Sequence, residues 1–349
     1  MNDTVKKIRI LKDKIKEISQ KDISIMEVCG THTMSVARFA IKSLLPDNIN
    51  VISGPGCPVC VTSGTDIETA LTMARDESKI VCTFGDMIKV PSQGDNLGNY
   101  KNVKIVYSPL DSLKIAKDNP DKEVVMLGIG FETTAPLIAC AIKAAKQMAL
   151  PNFSVISMHK TVPIAMGAIL SDKDAKIDAL ILPGHVSAIT GRKYFDFIKD
   201  YETSGVISGF EALDIMECIY LLVDLYNNEK LDVINNYSRI VSEHGNKLAM
   251  DTMYDVFETC DSGWRGIGTI PDSGLEIKDE YAAFNARKKF GINVSEVLDP
   301  PGCRCGEILM AKAKPSDCGL FGKNCTPANP VGPCMVSSEG TCAAFYKYQ

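Results

Sequence analysis

Residues 50–60 read Asn50-Val51-Ile52-Ser53-Gly54-Pro55-Gly56-Cys57-Pro58-Val59-Cys60. A short apolar run stops abruptly in glycines and prolines, the pattern of a strand that delivers a stiff turn. The turn carries two cysteines at C-x-x-C spacing, which suits a redox pair or half of a metal site. The next capping signal, Thr65-Asp66-Ile67-Glu68, predicts a helix starting near Thr65 and running to Arg75. Both thiols are therefore expected on a rigid loop, not on a helix. Gly54 and Gly56 would let another backbone come close.

The same strand–turn–helix unit recurs on both sides. Upstream, residues 24–28 predict a strand that runs into Cys29-Gly30-Thr31-His32-Thr33, with a helix over 34–45. Downstream, strands are predicted at 79–84 and 104–107, the first ending at Gly85-Asp86, with a helix over 108–117. Near residue 121 the pattern restarts. A strand at 123–127 leads to Gly130-Phe131-Glu132-Thr133-Thr134-Ala135-Pro136 and a helix over 137–148. Strands at 153–157 and 179–182 end in Met158-His159-Lys160 and Pro183-Gly184-His185-Val186-Ser187, with a helix near 164–170. Cys29 aligns with Gly130, Val51-Ile52-Ser53 with Val155-Ile156-Ser157, and Thr83-Phe84-Gly85 with Leu182-Pro183-Gly184, at offsets of 101, 104 and 99. Units recurring at nearly constant offset indicate an internal repeat.

The predicted fold class is α/β. Two similar open α/β half-domains with mostly parallel sheets span residues 21–121 and 122–210. A mainly helical, cysteine-rich domain combines residues 1–20 with 211–349. Residues 4–20 form its amphipathic first helix, with Ile8, Leu11, Ile15 and Ile18 on one face. Residues 211–257 and 277–290 read as helical, separated by glycine-rich turns around Trp264. Each unusual motif falls at the carboxyl end of a strand, where open α/β sheets bind ligands. All of them are expected to face one cleft.

Composition narrows the function. The chain has 349 residues, 45% of them hydrophobic, and a net charge of −5. That balance, without a basic block interleaved with aromatics, argues against a nucleic-acid binder. The first twenty residues are charged throughout, and no long uncharged apolar run follows. Neither a signal peptide nor a membrane span is expected, and the protein is expected to be cytoplasmic. In that compartment most of its 13 cysteines should be reduced, so clustered ones read as metal or redox chemistry.

Three cysteine groups stand out. Cys303, Cys305, Cys318, Cys325, Cys334 and Cys342 crowd a stretch rich in Gly and Pro, which lacks the apolar surface to fold alone. A metal centre would stabilise it. Paired zinc knuckles are absent, whereas a cubane tolerates irregular spacing and takes four thiolates. Six thiols exceed four, and spacing alone does not choose among them. Cys29 sits between a strand and a helix start, where helix N–H groups lower a thiol pKa. His32 could add positive charge or a metal bond. Cys57 and Cys60 form the third group, as a reversible dithiol or a soft-metal clamp. Glu132, His159 and His185 lie at strand ends, where acid–base and structural hydrogen-bonding roles are both open. His244 follows a helix and reads as a C-terminal cap. Gly128-x-Gly130 has Thr133 in place of the third glycine of a dinucleotide fingerprint.

With these residues in view, nearly the whole chain resembles the HypD family of [NiFe]-hydrogenase maturation proteins. The resemblance rests on Cys29-Gly30-Thr31-His32-Thr33, residues 54–60, residues 130–136 and residues 183–187. It also rests on the C-x14-C-x6-C-x16-C tail, which Cys303, Cys318, Cys325 and Cys342 match at every interval. It implies that these four ligate a [4Fe–4S] cluster and sets aside Cys305 and Cys334. It further implies a scaffold for the Fe(CN)2CO group, with Fe(II) carrying cyanide and CO as transient cargo. Iron would be held at Cys29 in complex with a HypC-type chaperone, and a HypE-type partner would donate cyanide. Cys57 and Cys60 would be a redox pair linked to the cluster or additional iron ligands. His185 and Glu339 are the polar residues carried over. Two other classes fit parts of the pattern. A cluster-dependent thiol/disulfide reductase would act on a protein disulfide through Cys57/Cys60 and would not need Cys29. A structural zinc protein would be colourless.

Overall fold

The computed structural model describes residues 3–172 and 174–348. The few remaining positions of the expected segments (1, 2, 173 and 349) lie outside the described residues. Helix α1 (Asp3–Ile18) leads into strand β1 (Ile23–Glu27), helix α2 (Gly30–Arg38) and strand β2 (Ile49–Ser53). Then come α3 (Pro58–Val61), α4 (Gly64–Ala74), β3 (Lys79–Thr83), β4 (Val103–Ile105) and α5 (Pro109–Asp118). The second repeat supplies β5 (Glu123–Gly128), α6 (Ala135–Gln147), β6 (Phe153–Ser157), α7 (Val162–Leu170), β7 (Ala179–Pro183), α8 (Gly184–Thr190) and β8 (Ser204–Ser208). The rest holds α9 (Ala212–Asn227), β9 (Val233–Asn235), α10 (Lys247–Val256), β10 (Phe257–Trp264), β11 (Gly268–Ile277), α11 (Ala286–Phe290), α12 (Cys305–Leu309) and α13 (Thr341–Tyr348).

The α/β class with parallel sheets is as expected, but the sheets are not built from consecutive halves of the chain. One sheet runs β2-β1-β7-β8-β9 and the other β4-β3-β5-β6, with every pairing parallel. Each repeat therefore splits. Its first two strands join one sheet and its last two join the other, in mirrored order. The alignments of β2 with β6 and β3 with β7 are those of the sequence repeat. The segments 21–121 and 122–210 are thus the repeats, while each sheet takes strands from both.

Residues 1–20 and 211–290 do not form a separate helical domain with the tail. Ile15 of α1 and Ile215, Ile219 and Leu222 of α9 pack on Ile25 and Val206 of the first sheet. Met253, Phe257, Leu275 and Ile277 cover the second sheet. A parallel sheet must bury both faces, and the amphipathic faces of these elements have no larger apolar surface to meet. Two further readings change. Residues 231–245, expected to be helical, hold strand β9 and turns. The turns around Trp264 are the antiparallel hairpin β10–β11, bulged between Cys260 and Ser262. The expected helix over 277–290 breaks into a 3-10 turn (Asp279–Phe284) and α11.

The two sheets face each other across a shared core. It joins Val28 and Leu182 of one layer with Val125 and Leu127 of the other, and reaches Cys57, Cys60, Cys305, Cys334 and Cys342. No helix among the described residues is long and apolar enough to cross a membrane. If α1 is part of the first layer, Ile15→Ala should cost about 2–4 kcal/mol. A urea denaturation midpoint that stays put in this variant would show α1 to be an appendage.

Candidate redox and metal-binding site

Cys29 stands where β1 ends and α2 begins. Its extended backbone makes it the N-cap residue of α2. Next to β1, the end of β2 turns through Gly54-Pro55-Gly56 onto it. The Gly54 amide donates to the Glu27 carbonyl at 2.8 Å and the Gly30 amide to the Gly56 carbonyl at 3.0 Å. A Cβ on Gly56 would stand 2.2 Å from the Cys29 nitrogen, so only glycine fits. This places the C-x-x-C directly beside Cys29.

The two thiols are on a helix after all. Pro58–Val61 makes one helical turn, with Cys57 as its N-cap. Pro58 at the first position loses no needed N–H and has its φ preset, and the Cys57 sulfur accepts the Cys60 amide at 3.4 Å. Helix α4 then starts at Gly64 under a Ser63 cap, just before the predicted Thr65. Cys57 is 3% exposed and Cys60 is 0% exposed.

The Cys29 thiol is 7% exposed. Burial pushes it up to about 12, and the nearby Glu339 and Glu27 carboxyls add to the rise. Amides of His32 and Thr31 at the start of α2 pull the other way. The helix-terminus effect expected from the sequence is present, but desolvation outweighs it. His32 is buried, and burial lowers its pKa to about 4, so it supplies neither a positive charge nor an open ring face. Its Nε2 pairs with the Gly209 carbonyl at 2.9 Å, and its ring lies 4.7 Å from Phe210. His185 stacks on Phe210 at 4.1 Å. Burial lowers its pKa, and the neighbouring Glu339 partly restores it.

Glu27 was hidden inside a predicted strand. It is buried, accepts the Cys29 amide at 3.2 Å and the Thr33 hydroxyl at 2.5 Å, and burial raises its pKa to about 8. Glu339 arrives from the tail. Its Oε1 accepts the Thr31 hydroxyl at 2.6 Å, and a Cβ on Gly30 would stand 2.6 Å from the Glu339 Cβ. Ser337 donates to Asp86 at the end of β3, at 2.7 Å. Four strand-end motifs, those of Cys29, Cys57, Asp86 and His185, thus gather around one tail segment. The other two turn elsewhere. Glu132 accepts the Val162 amide at 2.8 Å and the Tyr194 hydroxyl at 2.9 Å. Lys160 bonds Ser262 and Gly263 of the hairpin, and His159 packs against Phe257. The six motifs therefore form two groups, the second at the ends of β5 and β6, where the β10–β11 hairpin meets Lys160.

The tail cysteines meet the C-x-x-C in a row of thiols. Cys60 lies near Cys334, its sulfur donating to the Pro333 carbonyl at 4.0 Å, and Cys334 lies near Cys305. Cys305 in turn lies near Cys303 and Cys342. Cys303 and Cys305 both lie 2.6 Å from where a Cβ on Gly332 would stand. Cys325 is near Cys305 and Cys303, and its sulfur accepts the Val331 amide at 3.3 Å. Cys318 donates to the Gly302 carbonyl at 3.7 Å, at the edge of the group. The dithiol therefore adjoins the tail through Cys60. Cys305 and Cys334, which the tail pattern sets aside, occupy the middle of the row. The only sequence signal for them was the surplus of six thiols over four. Among the described residues, no three His, Cys, Asp or Glu side chains close on one point at metal-ion distance.

A family model, HypD, described as "Hydrogenase formation hypA family", matches residues 5–349. The chain is 43% identical over 342 residues to hydrogenase maturation factor HypD2 of Bradyrhizobium diazoefficiens, covering 94% of this chain and 90% of the relative. It is 41% identical over 348 residues to hydrogenase maturation factor HypD of Rhodobacter capsulatus, covering 97% and 92%. Over 337 residues it is 41% identical to that of Escherichia coli K12, covering 95% and 90%.

A thiol held near 12 reacts mainly through a scarce thiolate. Alkylation of Cys29 by iodoacetamide, followed by peptide mass spectrometry, should still accelerate about tenfold per pH unit between pH 8 and 10. A plateau near pH 9 would contradict the burial effect.

Proposed function

Because this chain belongs to the HypD family of hydrogenase maturation proteins, we propose that it is the scaffold on which the Fe(CN)2CO group of [NiFe]-hydrogenase is assembled. Cys29 holds the iron together with a thiolate of a HypC-type chaperone, and a HypE-type partner delivers cyanide. The observation that carries this reading is the setting of Cys29. It is a single buried thiol at a helix start, flanked by Glu27 and Glu339, with His185 beside Glu339, and adjoining a dithiol.

The physical chemistry favours a cation there. An empty site keeps Cys29 protonated, since a lone buried thiolate beside two carboxyls is costly. An incoming Fe(II) reverses that balance and displaces the proton. His185, whose pKa burial lowers and which lies beside Glu339, is a nearby base able to accept it. The Thr31 and His32 amides then stabilise the thiolate. A soft thiolate suits iron that carries strong-field cyanide and CO. Closed surroundings keep water from the cargo during cyanide transfer.

The four thiols of the family pattern suit a [4Fe–4S] group. They are cysteine sulfurs in one tail, and an amide already points at the Cys325 sulfur, as at ligated thiolates. Cys303, Cys318, Cys325 and Cys342 would hold the cluster, which supplies one-electron chemistry when bound. Cys305 and Cys334 then connect it with Cys57 and Cys60. A disulfide across Cys57 and Cys60 exchanges with the Cys305/Cys334 dithiol. The Cys334 thiolate attacks the Cys60 sulfur and the Cys57 thiolate leaves. Cys305 then attacks Cys334 and releases Cys60. One disulfide breaks, one forms, and the two protons pass to Cys57 and Cys60. The thiol row also favours the reductase reading. The burial of Cys57 and Cys60, however, denies a bulky protein disulfide access in this conformation.

Infrared spectra of the complex with its HypC-type partner test the proposal. Cyanide and CO stretches should be present in the unaltered protein and lost in Cys29→Ala, while the cluster absorbance persists. Bands that survive the substitution would move the iron away from Cys29.

A further inference from the structure

One segment ties the thiol row to the iron-holding thiol. Residues 334–342 begin and end at the row, since Cys334 lies near Cys60 and Cys305, and Cys342 lies near Cys305. Between those ends the chain runs across to Cys29. Ser337 is buried and anchored to Asp86, and its Oγ accepts the Glu339 amide at 3.3 Å. Glu339 lies on Gly30 and bonds Thr31, the two residues that follow Cys29. Gly340 folds back onto Cys334, so closely that a Cβ on it would stand 2.3 Å from the Cys334 carbonyl oxygen. The strap is therefore short, pinned at both ends and in backbone contact with its own first cysteine.

We propose that residues 334–342 form a redox-operated latch that covers Cys29 while the thiol row is reduced and lifts from it when Cys334 enters a disulfide with Cys305. The described structure has all thirteen cysteines free, with Cys29 buried and Glu339 seated on Gly30. This is the reduced, covered state. A disulfide requires bonding approach of the sulfurs and a fixed dihedral, which two neighbouring free thiols do not have. Forming it draws Cys334 towards Cys305 and away from Cys60. Gly340 rests on the Cys334 backbone with no side chain to yield, so the shift passes to Glu339 and breaks its bond to Thr31. Packed contacts of this kind switch between discrete arrangements and do not deform gradually. The latch would open the site for iron and cyanide when the row is oxidised and close it after the row is reduced. It rests on the reading of Cys29 as the iron-holding thiol and of Cys305/Cys334 as an exchanging pair.

The test uses the anaerobically purified full chain without added iron, and reads the rate at which N-ethylmaleimide labels Cys29, resolved by peptide mass spectrometry. One sample is kept in dithiothreitol. The other is treated with diamide, which takes two electrons and two protons from a dithiol. Labelling of Cys29 should be on the order of tenfold faster after diamide, because it tracks the population of the open form. Cys334→Ser should label slowly in both states, and Glu339→Ala quickly in both. Equal rates in the two states of the unaltered protein would overturn the latch, as would a state dependence that persists in Cys334→Ser. Hydrogen exchange of peptides covering 30–38 and 335–342 should rise together after diamide, and a rise in neither would count against it too. Since no cargo iron is added, a failed iron assignment in the infrared experiment leaves the labelling result intact, and the reverse also holds.

Discussion

The site depends on the contact between Gly56 and the backbone of Cys29. Two neighbouring parallel strands end at the same level, and their loops compete for the same space. A missing Cβ resolves that competition and lets the Gly30 amide reach the Gly56 carbonyl. Everything chemical follows from this closeness. The single thiol and the dithiol become neighbours, α2 starts under Cys29, and α3 turns Cys60 inward towards the tail. Any larger residue at position 56 would have to push apart two backbones, because no flexible side chain is there to move.

The motifs do not divide by sheet. Those of the first repeat all meet the tail, although β3 lies in the second sheet, whereas in the second repeat His185 joins them and Glu132 and Lys160 do not. The tail then covers one group and the β10–β11 hairpin the other. The covering elements carry the remaining function. Glu339 and Ser337 come with the tail, whereas Trp264 and the hairpin backbone enclose Lys160.

Around Cys29 two effects of opposite sign meet, and their magnitudes decide the outcome. Helix amides favour a thiolate by a modest amount that depends on exposure, while full burial beside two carboxyls costs more. The outcome is a thiol that stays protonated until a cation arrives. A thiol held in that form is poorly reactive towards oxidants and electrophiles.

Local sequence was enough for the elements near the site. β2, β3, β5, β6 and β7 lie within a residue of their expected ends, because short apolar runs closed by Gly and Pro leave little choice of register. The repeat was legible too, since equivalent strands keep equivalent spacing whichever sheet they join. The sequence also marked Cys29, Cys57 and Cys60 by motif and the tail by its density of thiols. Other features had no local signal. Strand exchange between sheets depends on which long-range pairing buries most surface, and the spacing of strands is the same in either arrangement. Glu27 looks like any residue of a strand until the loops of its neighbours close over it. Cys305 and Cys334 lie 29 positions apart. Only the folding of the tail onto α3 makes them the middle of a thiol row, because a contact between sulfurs is set by where the chain returns and not by how far it has travelled.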